Sequence, residues 1–367
     1  MIITILFIII ALLYFSLHLY LYKGLKISMN LKGNEKSFPF ISVIVAARNE
    51  SDNIARCLNS LKAVNYPADK FEVIFVNDRS TDNTREIIEK SIQGRNNFRV
   101  IDSDEKHNEK LKGKINALNS GISVSKGELI LMTDADCTVN KNWLRHYAKY
   151  YSPETPMICG FTMIIPFNLF GKLQSIDWMY LQGLASASSG INMQMSCIGN
   201  NLSISRLAYS EVGGYAGIRF SVTEDLSLMQ SVQKLNKGRI LYPLTQGNYA
   251  ATMACKDIRE LTMQKKRWFR GGFKINKLGY ISGILMYIIN LFFLAGLFIA
   301  PSGIYLILIA VKFISDLIII HPVADKLKMK NILWNFILFE IYFMIYGLLL
   351  PFTFITGKEI NWKERKL

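Results

Sequence analysis

The chain has 367 residues, half of them hydrophobic and only 19% charged, with a formal net charge of +15. That composition excludes a disordered chain; it is too apolar for an ordinary soluble protein and too charged for one sunk wholly in lipid. Five scattered cysteines with no C-x-x-C pair exclude a disulfide scaffold and fit a reducing compartment, and the positive balance points to an anionic partner: nucleotide, nucleic acid or membrane surface.

Residues 1–22 contain no Asp, Glu, Lys or Arg, and about 20 apolar residues span a bilayer. Lys23, Lys26, Lys32 and Lys36 follow at once, which places the N-terminus outside and the following chain in the cytoplasm. No basic n-region or small-residue cleavage site marks a signal peptide. From residue 23 to 255 the pattern alternates. Ile41–Ala46 is a short apolar run, a buried strand, and Ile54, Leu58, Leu61 and Val64 then recur at helical spacing. Phe71–Val76 predicts a second strand, and Ser80-Thr81-Asp82 offers an N-cap to the helix carrying Ile87 and Ile88. Phe98–Ile101 predicts a third strand, 113–124 a helix and Glu128–Met132 a fourth strand. Strands alternating with helices argue an α/β fold with a mainly parallel sheet.

Residues 256–277 hold eight basic residues against two acidic ones and predict a basic helix lying on the membrane surface. The uncharged run 278–311 is too long for one span, and Pro301-Ser302-Gly303 breaks it into segments near 278–300 and 302–320. A last segment covers about 331–356, so three C-terminal membrane segments occupy 278–356, ahead of a basic tail at 357–367. The lysines on both sides of the last segment prefer the inside. A re-entrant turn near Gly347 or Pro351 would satisfy them. Lys312 and Asp316, four apart, share a helix face and pair, whereas Glu340 is alone in its segment.

In parallel sheets ligands bind beyond the carboxyl ends of the strands. Ala47-Arg48-Asn49-Glu50, Asn77-Asp78-Arg79-Ser80 and Thr133-Asp134-Ala135-Asp136 fall there, and no glycine-rich dinucleotide or P-loop signature opens the first helix. Asp134-x-Asp136 offers two hard oxygen ligands for Mg²⁺ or Mn²⁺. Asp78 offers an acceptor for a base N–H or a ribose hydroxyl. Thr223-Glu224-Asp225 places carboxylates at a helix start, as caps or as a general base. Gln264-x-x-Arg267-Trp268 adds a cation for phosphate and an aromatic face for a sugar.

Taken in order, these residues resemble the membrane-embedded glycosyltransferases of family 2, the ceramide glucosyltransferase-like and cellulose synthase-like enzymes. Ser42–Glu50, Val76–Ser80, Asp134-x-Asp136, Thr223-Glu224-Asp225 and Gln264-x-x-Arg267-Trp268 look like that family's D, D-x-D, T-E-D and Q-x-x-R-W series, and Gly199-Asn200-Asn201 resembles its G-x-N segment. The resemblance covers about residues 38–275 and the flanking spans. It implies a GT-A fold with a mixed, mainly parallel sheet beside four membrane-embedded helices, and inversion at the anomeric carbon. It implies that Asp78 binds the uridine base in a pocket lined by Ala46, Arg48 and Glu50, and that Asp134 and Asp136 hold the diphosphate and the metal. Lys114 would lie near the diphosphate. Asp225 would be the general base, with Asn200 and Glu224 on the acceptor side. Gln264 would help bind the nucleotide-sugar, Arg267 would steady the leaving pyrophosphate, and Trp268 would floor the acceptor site. The tail Asn361–Arg365 resembles a W-K-G-R ending of some lipid-directed members, with Glu364 in place of Gly.

The expected reaction is sugar transfer from a UDP-sugar to a membrane lipid hydroxyl, at the cytoplasmic face of the bilayer. A processive polysaccharide synthase and a polyprenyl-phosphate sugar transferase are the alternatives. Four hydrophobic segments are few for a polymer channel, and a phosphate acceptor needs little help from a base. A dead transferase serving as scaffold is disfavoured because every expected acidic position is filled. The basic residues gather beside a membrane segment and no nucleic-acid motif appears, so a nucleic-acid partner is set aside.

Overall fold

The computed structural model describes residues 2–104, 111–247, 249–272, 274–299, 302–353, 361–362 and 365–366. The chain divides into two compact units, each made of separate stretches: Leu31–Ile165 with Cys197–Met253 and Glu359–Leu367, and Met1–Asn30 with Pro166–Ser196 and Ala254–Lys358.

The first unit is an α/β sheet structure. Its strands include β1 (Ile41–Ala47), β2 (Phe71–Asn77), β3 (Phe98–Asp102), β4 (Leu129–Asp134), β5 (Thr138–Val139), β6 (Met157–Cys159), β7 (Phe161–Ile165), β8 (Leu202–Ser205) and β9 (Tyr249–Met253). The main sheet has the order β3-β2-β1-β4-β8-β6. β3, β2, β1 and β4 run parallel, and β8 and β6 add antiparallel pairings. A second sheet has the order β5-β9-β7. β2 is buried along its whole length and β1 nearly so, which is why both read as apolar runs without alternation. The core beneath them gathers Val43, Val45, Leu58, Leu61, Phe75, Leu131, Trp143 and Tyr147.

The register sets the site. Ala46 lies opposite Val76 on one side and Asp134 on the other, and Ala47 lies opposite Asn77. The carboxyl ends of β1, β2 and β4 are therefore level. Asp134 is the last residue of β4, so that strand runs two residues beyond the expected end. The helix after β2 spans Thr84–Ile92, and its expected cap is displaced. Asn83 holds the N-cap position without a side-chain bond, while Asp82 Oδ1 accepts from Thr84 N at 3.1 Å and Thr84 Oγ1 at 2.5 Å.

The other unit is helical. Among the described residues, four helices are long and apolar enough to cross a membrane: Ile2–Met29, Lys277–Ile299, Ser302–Lys326 and Phe336–Thr353, the last preceded by a 3₁₀ turn. Two more complete it, Leu169–Gly190 and Ile258–Gly272. Composition assigned 166–196 to the polar block, yet the structure groups this stretch with the apolar helices. The reason is its small residues. A Cβ on Gly24 would stand 2.0 Å from the Ala187 carbonyl oxygen, and one on Gly190 would stand 2.0 Å from that of Gly24. Backbones approach that closely only where side chains are missing.

The last helix runs unbroken through Gly347 and Pro351, so the turn expected there is absent. Gly347 lies beside Asn290, where a Cβ would make only an ordinary contact at 3.7 Å. Pro301 of the expected break lies outside the described residues, as do Lys358, Lys363 and Glu364 of the tail. Lys312 pairs with Asp316 at 3.0 Å as expected, but Glu340 is not alone: it pairs with Lys312 from the neighbouring helix. The Asp316 carboxylate also accepts from Tyr14 at 2.6 Å and Tyr180 at 2.9 Å, and His18 bonds the Tyr180 hydroxyl at 2.8 Å. Charges placed among membrane helices hold only when partnered in this way.

Candidate functional site at the strand ends

Each polar residue at the end of β1 is tied to the loop after β2. Arg48 Nη1 donates to the backbone carbonyls of Asp78 at 2.9 Å and Arg79 at 3.3 Å. Glu50 N donates to Thr84 Oγ1 at 2.7 Å, and Ser51 N to Asp82 Oδ2 at 3.0 Å. Asp82 is held down to about 2: burial opposes its charge, but the bonds from Thr84 and Ser51 outweigh that. Asn49 and Arg79 both adopt left-handed backbone, at φ of 50° and 56°. For a long side chain such as Arg79 that conformation is costly, and such strain gathers at functional sites. Asp78 is 2% exposed, and its Oδ1 accepts from Ser103 Oγ at 2.9 Å. A buried acceptor at a strand end, held in one orientation, can read a base edge or a ribose.

Lys114 is the centre of the site. It opens the helix Lys114–Ser123 behind Gly113, whose φ of 57° turns the chain into that helix. Its ammonium lies 2.5 Å from Asp134 Oδ1 and 3.3 Å from Glu224 Oε1. Burial opposes the charge, but Asp134, Glu224 and Asp225 hold the ammonium above the usual lysine range. One cation therefore joins the end of β4 to the start of the helix Glu224–Lys234. The sequence named all four residues without showing that they meet.

Asp136 sits among weaker donors. Cys137 Sγ donates to its Oδ1 at 3.4 Å and Thr252 Oγ1 to its Oδ2 at 3.5 Å, while Arg56 donates to its carbonyl at 3.3 Å. Burial first, then the charges of Asp136 and Asp134, push the Cys57 and Cys137 thiols up, so both stay protonated. Among the described residues no set of three His, Cys, Asp or Glu side chains could hold a metal by itself. The donors present are the two carboxylates of Asp134 and Asp136. Hard oxygens, long neutral contacts at Asp136 and ligand positions left for phosphate and water are what Mg²⁺ or Mn²⁺ requires.

Asp225 stands in the first turn of its helix, and its Oδ1 accepts from Leu226 N at 2.8 Å. A carboxylate is favoured at that end of a helix. Gly199 backs onto it: a Cβ there would lie 3.2 Å from Asp225 Oδ2. Asn200 is buried, and its Oδ1 accepts from Thr162 Oγ1 at 2.6 Å. The neighbouring Asn201 anchors the loop. Its Oδ1 accepts from Trp143 Nε1 at 2.8 Å and Tyr147 OH at 2.7 Å, and its Nδ2 donates to the Phe161 carbonyl at 2.6 Å. Sequence reasoning missed Ser103, Thr252 and the anchoring role of Asn201; only Asn201 lay in a segment singled out beforehand.

Ala46, Arg48, Glu50, Asp78, Lys114, Asp134, Asp136, Asn200, Glu224 and Asp225 thus belong to the sheet unit. Gln264, Arg267 and Trp268 stand on the helix Ile258–Gly272 of the helical unit. Trp268 packs on Trp178 with ring centres 5.2 Å apart.

The sequence model described as "Glycosyl transferase family 2" matches residues 42–227. Glycosyltransferase AglE of Haloferax volcanii is 35% identical over 108 residues, 29% of this chain and 34% of that protein. Poly-beta-1,6-N-acetyl-D-glucosamine synthase of Staphylococcus aureus is 28% identical over 271 residues, 71% of this chain and 61% of that one. The chain therefore spans less than two thirds of either relative. Among solved structures, mannosyltransferase PcManGT of Pyrobaculum calidifontis, in complex with GDP-Man and Mn²⁺, aligns with a TM-score of 0.63 over 96% of this chain and 99% of that one, at 15% identity. That likeness concerns the fold.

Proposed function

The chain belongs to glycosyl transferase family 2, and from that premise we propose that it moves one sugar from a UDP-sugar to the hydroxyl of a membrane lipid, with inversion. The observation that carries the reading is the Lys114 bridge, which brings the D-x-D and T-E-D carboxylates to one place. The donor enters at the level ends of β1, β2 and β4. Asp78 accepts from the base, and Arg48 and Glu50 shape the pocket around it. Lys114 is the cation that a diphosphate meets on arrival. Asp134 and Asp136 would hold Mg²⁺ or Mn²⁺, which neutralises charge developing on the diphosphate when bound.

Asp225 accepts the proton of the acceptor hydroxyl as its oxygen attacks the anomeric carbon. The bond to the diphosphate breaks on the opposite face, and its electron pair leaves with UDP. From the motif they stand in, we propose that Arg267 steadies the departing charge and that Trp268 serves the acceptor. The four apolar helices support a lipid acceptor, and we propose that the sheet unit lies in the cytoplasm. A second reading is polymer synthesis, favoured by the Staphylococcus aureus relative, whose name is that of a polysaccharide synthase.

A labelled-donor panel tests both. Membranes carrying the wild-type chain or Asp225→Asn receive radiolabelled UDP-glucose, UDP-galactose, UDP-N-acetylglucosamine and GDP-mannose with Mg²⁺ or Mn²⁺. Label is expected in the organic extract and to fall by a factor of about 10²–10⁴ in the variant, while UDP binding stays near normal. Label in long polymer replaces the first reading with the second. Unchanged transfer by Asp225→Asn removes the base assignment.

A further inference from the structure

The stretch Gln264-Lys265-Lys266-Arg267-Trp268 contains a residue that the proposed reaction leaves without a task. Lys265 is 4% exposed, although its neighbours Lys266 and Arg267 are partly open. Lysine is almost never buried to that degree without a partner. Its partner is Asp177, 0% exposed, in the middle of the helix Leu169–Gly190. The Lys265 ammonium also lies 4.7 Å from the centre of the Trp268 ring and 4.9 Å from that of Tyr346. Tyr346 OH donates to the other carboxylate oxygen of Asp177 at 2.6 Å. Trp178, next to Asp177 on the same helix, packs on Trp268. Three helices thus meet at one ion pair flanked by three aromatic rings.

An apolar contact would hold these helices together but would accept several rotations of Ile258–Gly272. A buried ion pair accepts one, because any other leaves two charges without partners. Each residue along a helix turns the side chain by about 100°. A slip by one residue would therefore carry Arg267 and Trp268 to a different side. Lys265 and Trp268 are three apart and share a face, so the pair that fixes the lysine also fixes the indole.

We propose that Lys265 and Asp177 are positioning residues, which set the rotation of the helix Ile258–Gly272 and so the direction in which Arg267 and Trp268 face. The proposal rests on the transferase reading above for its kinetic consequence, and on the packing alone for its structural one. Neither residue touches the reacting atoms.

The test uses the full chain with Lys265→Met, Lys265→Arg, Asp177→Asn and the double variant Lys265→Met with Asp177→Leu. Transfer is followed with the labelled donor that the wild type uses and a lipid extract of the same membranes as acceptor. Tryptophan emission of the purified protein in detergent is compared with that of Trp268→Phe. Lys265→Met is expected to raise the KM for the lipid extract about 10- to 100-fold while the donor KM changes less than about twofold, the size that a misplaced group produces. It is also expected to alter the emission component that Trp268→Phe removes. Lys265→Arg is expected to restore most of the acceptor KM. The double variant removes both charges and is expected to recover folded protein without recovering that KM. A double variant with the wild-type acceptor KM and unchanged emission overturns the proposal and leaves the pair a structural contact. A wild-type chain that transfers no label from any donor counts against the transferase reading, and the emission comparison then decides the positioning claim by itself.

Discussion

Asp136 illustrates how little a local pattern says about a residue's surroundings. Its carboxylate takes long contacts from the Cys137 thiol and the Thr252 hydroxyl, whereas Asp134, two residues earlier, faces a lysine. Asp136→Ala is expected to remove the Mn²⁺-supported part of UDP binding and to leave the metal-free part. A calorimetric titration with equal Mn²⁺-supported affinity would count against this. His146 makes a stability prediction. Burial first, and then Lys149, lower it from 6.5 to about 3, so the folded chain keeps the ring neutral where the unfolded chain protonates it. The unfolded state binds the extra proton between those two values, so the stabilisation is complete above pH 6.5 and shrinks as pH falls toward 3. In unfolding titrations the wild type should lose about 1.4 kcal/mol per pH unit between pH 6 and pH 4 relative to His146→Phe. Parallel curves for the two proteins would show that the ring titrates alike in both states.

Most of the strands that sequence made legible are those whose two faces are both buried, β3 being the exposed-edge exception. β1, β2 and β4 announce themselves as apolar runs, and the chemistry-bearing residues follow directly, so the positions of Asp78, Asp134 and Arg48 could be read in advance. β6, β7, β8 and β9 are short and were not anticipated, because three to five residues carry too little periodicity to be told from a loop. The helix Leu169–Gly190 was missed for another reason. Beside Ile176, Trp178, Met179 and Tyr180 its buried residues are mostly Ser, Ala, Gly and Gln with Asp177, and such residues read as solvent-facing until backbone contact explains them. The Lys114 bridge was illegible because its three partners are brought together by the sheet and not by spacing along the chain. A glycine explains how one helix reaches that sheet. A Cβ on Gly121 would stand 2.7 Å from Ile44 Cγ2 and 2.8 Å from Val76 Cγ2. Gly121→Leu should therefore destabilise the fold by about 1–3 kcal/mol through overpacking. A chemical denaturation midpoint equal to wild type would contradict it.

At the scale of the whole molecule, the helical unit is organised around charge as much as around apolar surface. Lys312 faces Asp316 and Glu340, and all three are buried. Lys312→Met leaves two carboxylates without their cation, a loss on the order of 3–5 kcal/mol for a broken buried pair. It should sharply reduce the fraction recovered as a single species in detergent. Adding Asp316→Asn and Glu340→Gln should restore much of that fraction. Full recovery of Lys312→Met alone would mean that the carboxylates are neutral within the helices. The aromatic contacts of Phe313, Phe336, Phe339 and Phe343 surround the same group and supply the apolar wall against which the charges pair.

The ion pair between Asp177 and Lys265 joins residues 88 positions apart. Synthesis proceeds from the N-terminus, so the aspartate leaves the ribosome well before its lysine, and Tyr346 follows 81 residues after that. The helix Leu169–Gly190 is not among the four that are apolar enough to cross a bilayer unaided. At birth it has only the first membrane helix to pack on, through Gly24 and Ala187, and it holds an acidic side chain awaiting its counter-charge. The contact of the three helices can close only after Lys265 and Tyr346 have been made. A nascent chain that has not yet reached residue 265 therefore carries Asp177 without the counter-charge it meets in the fold.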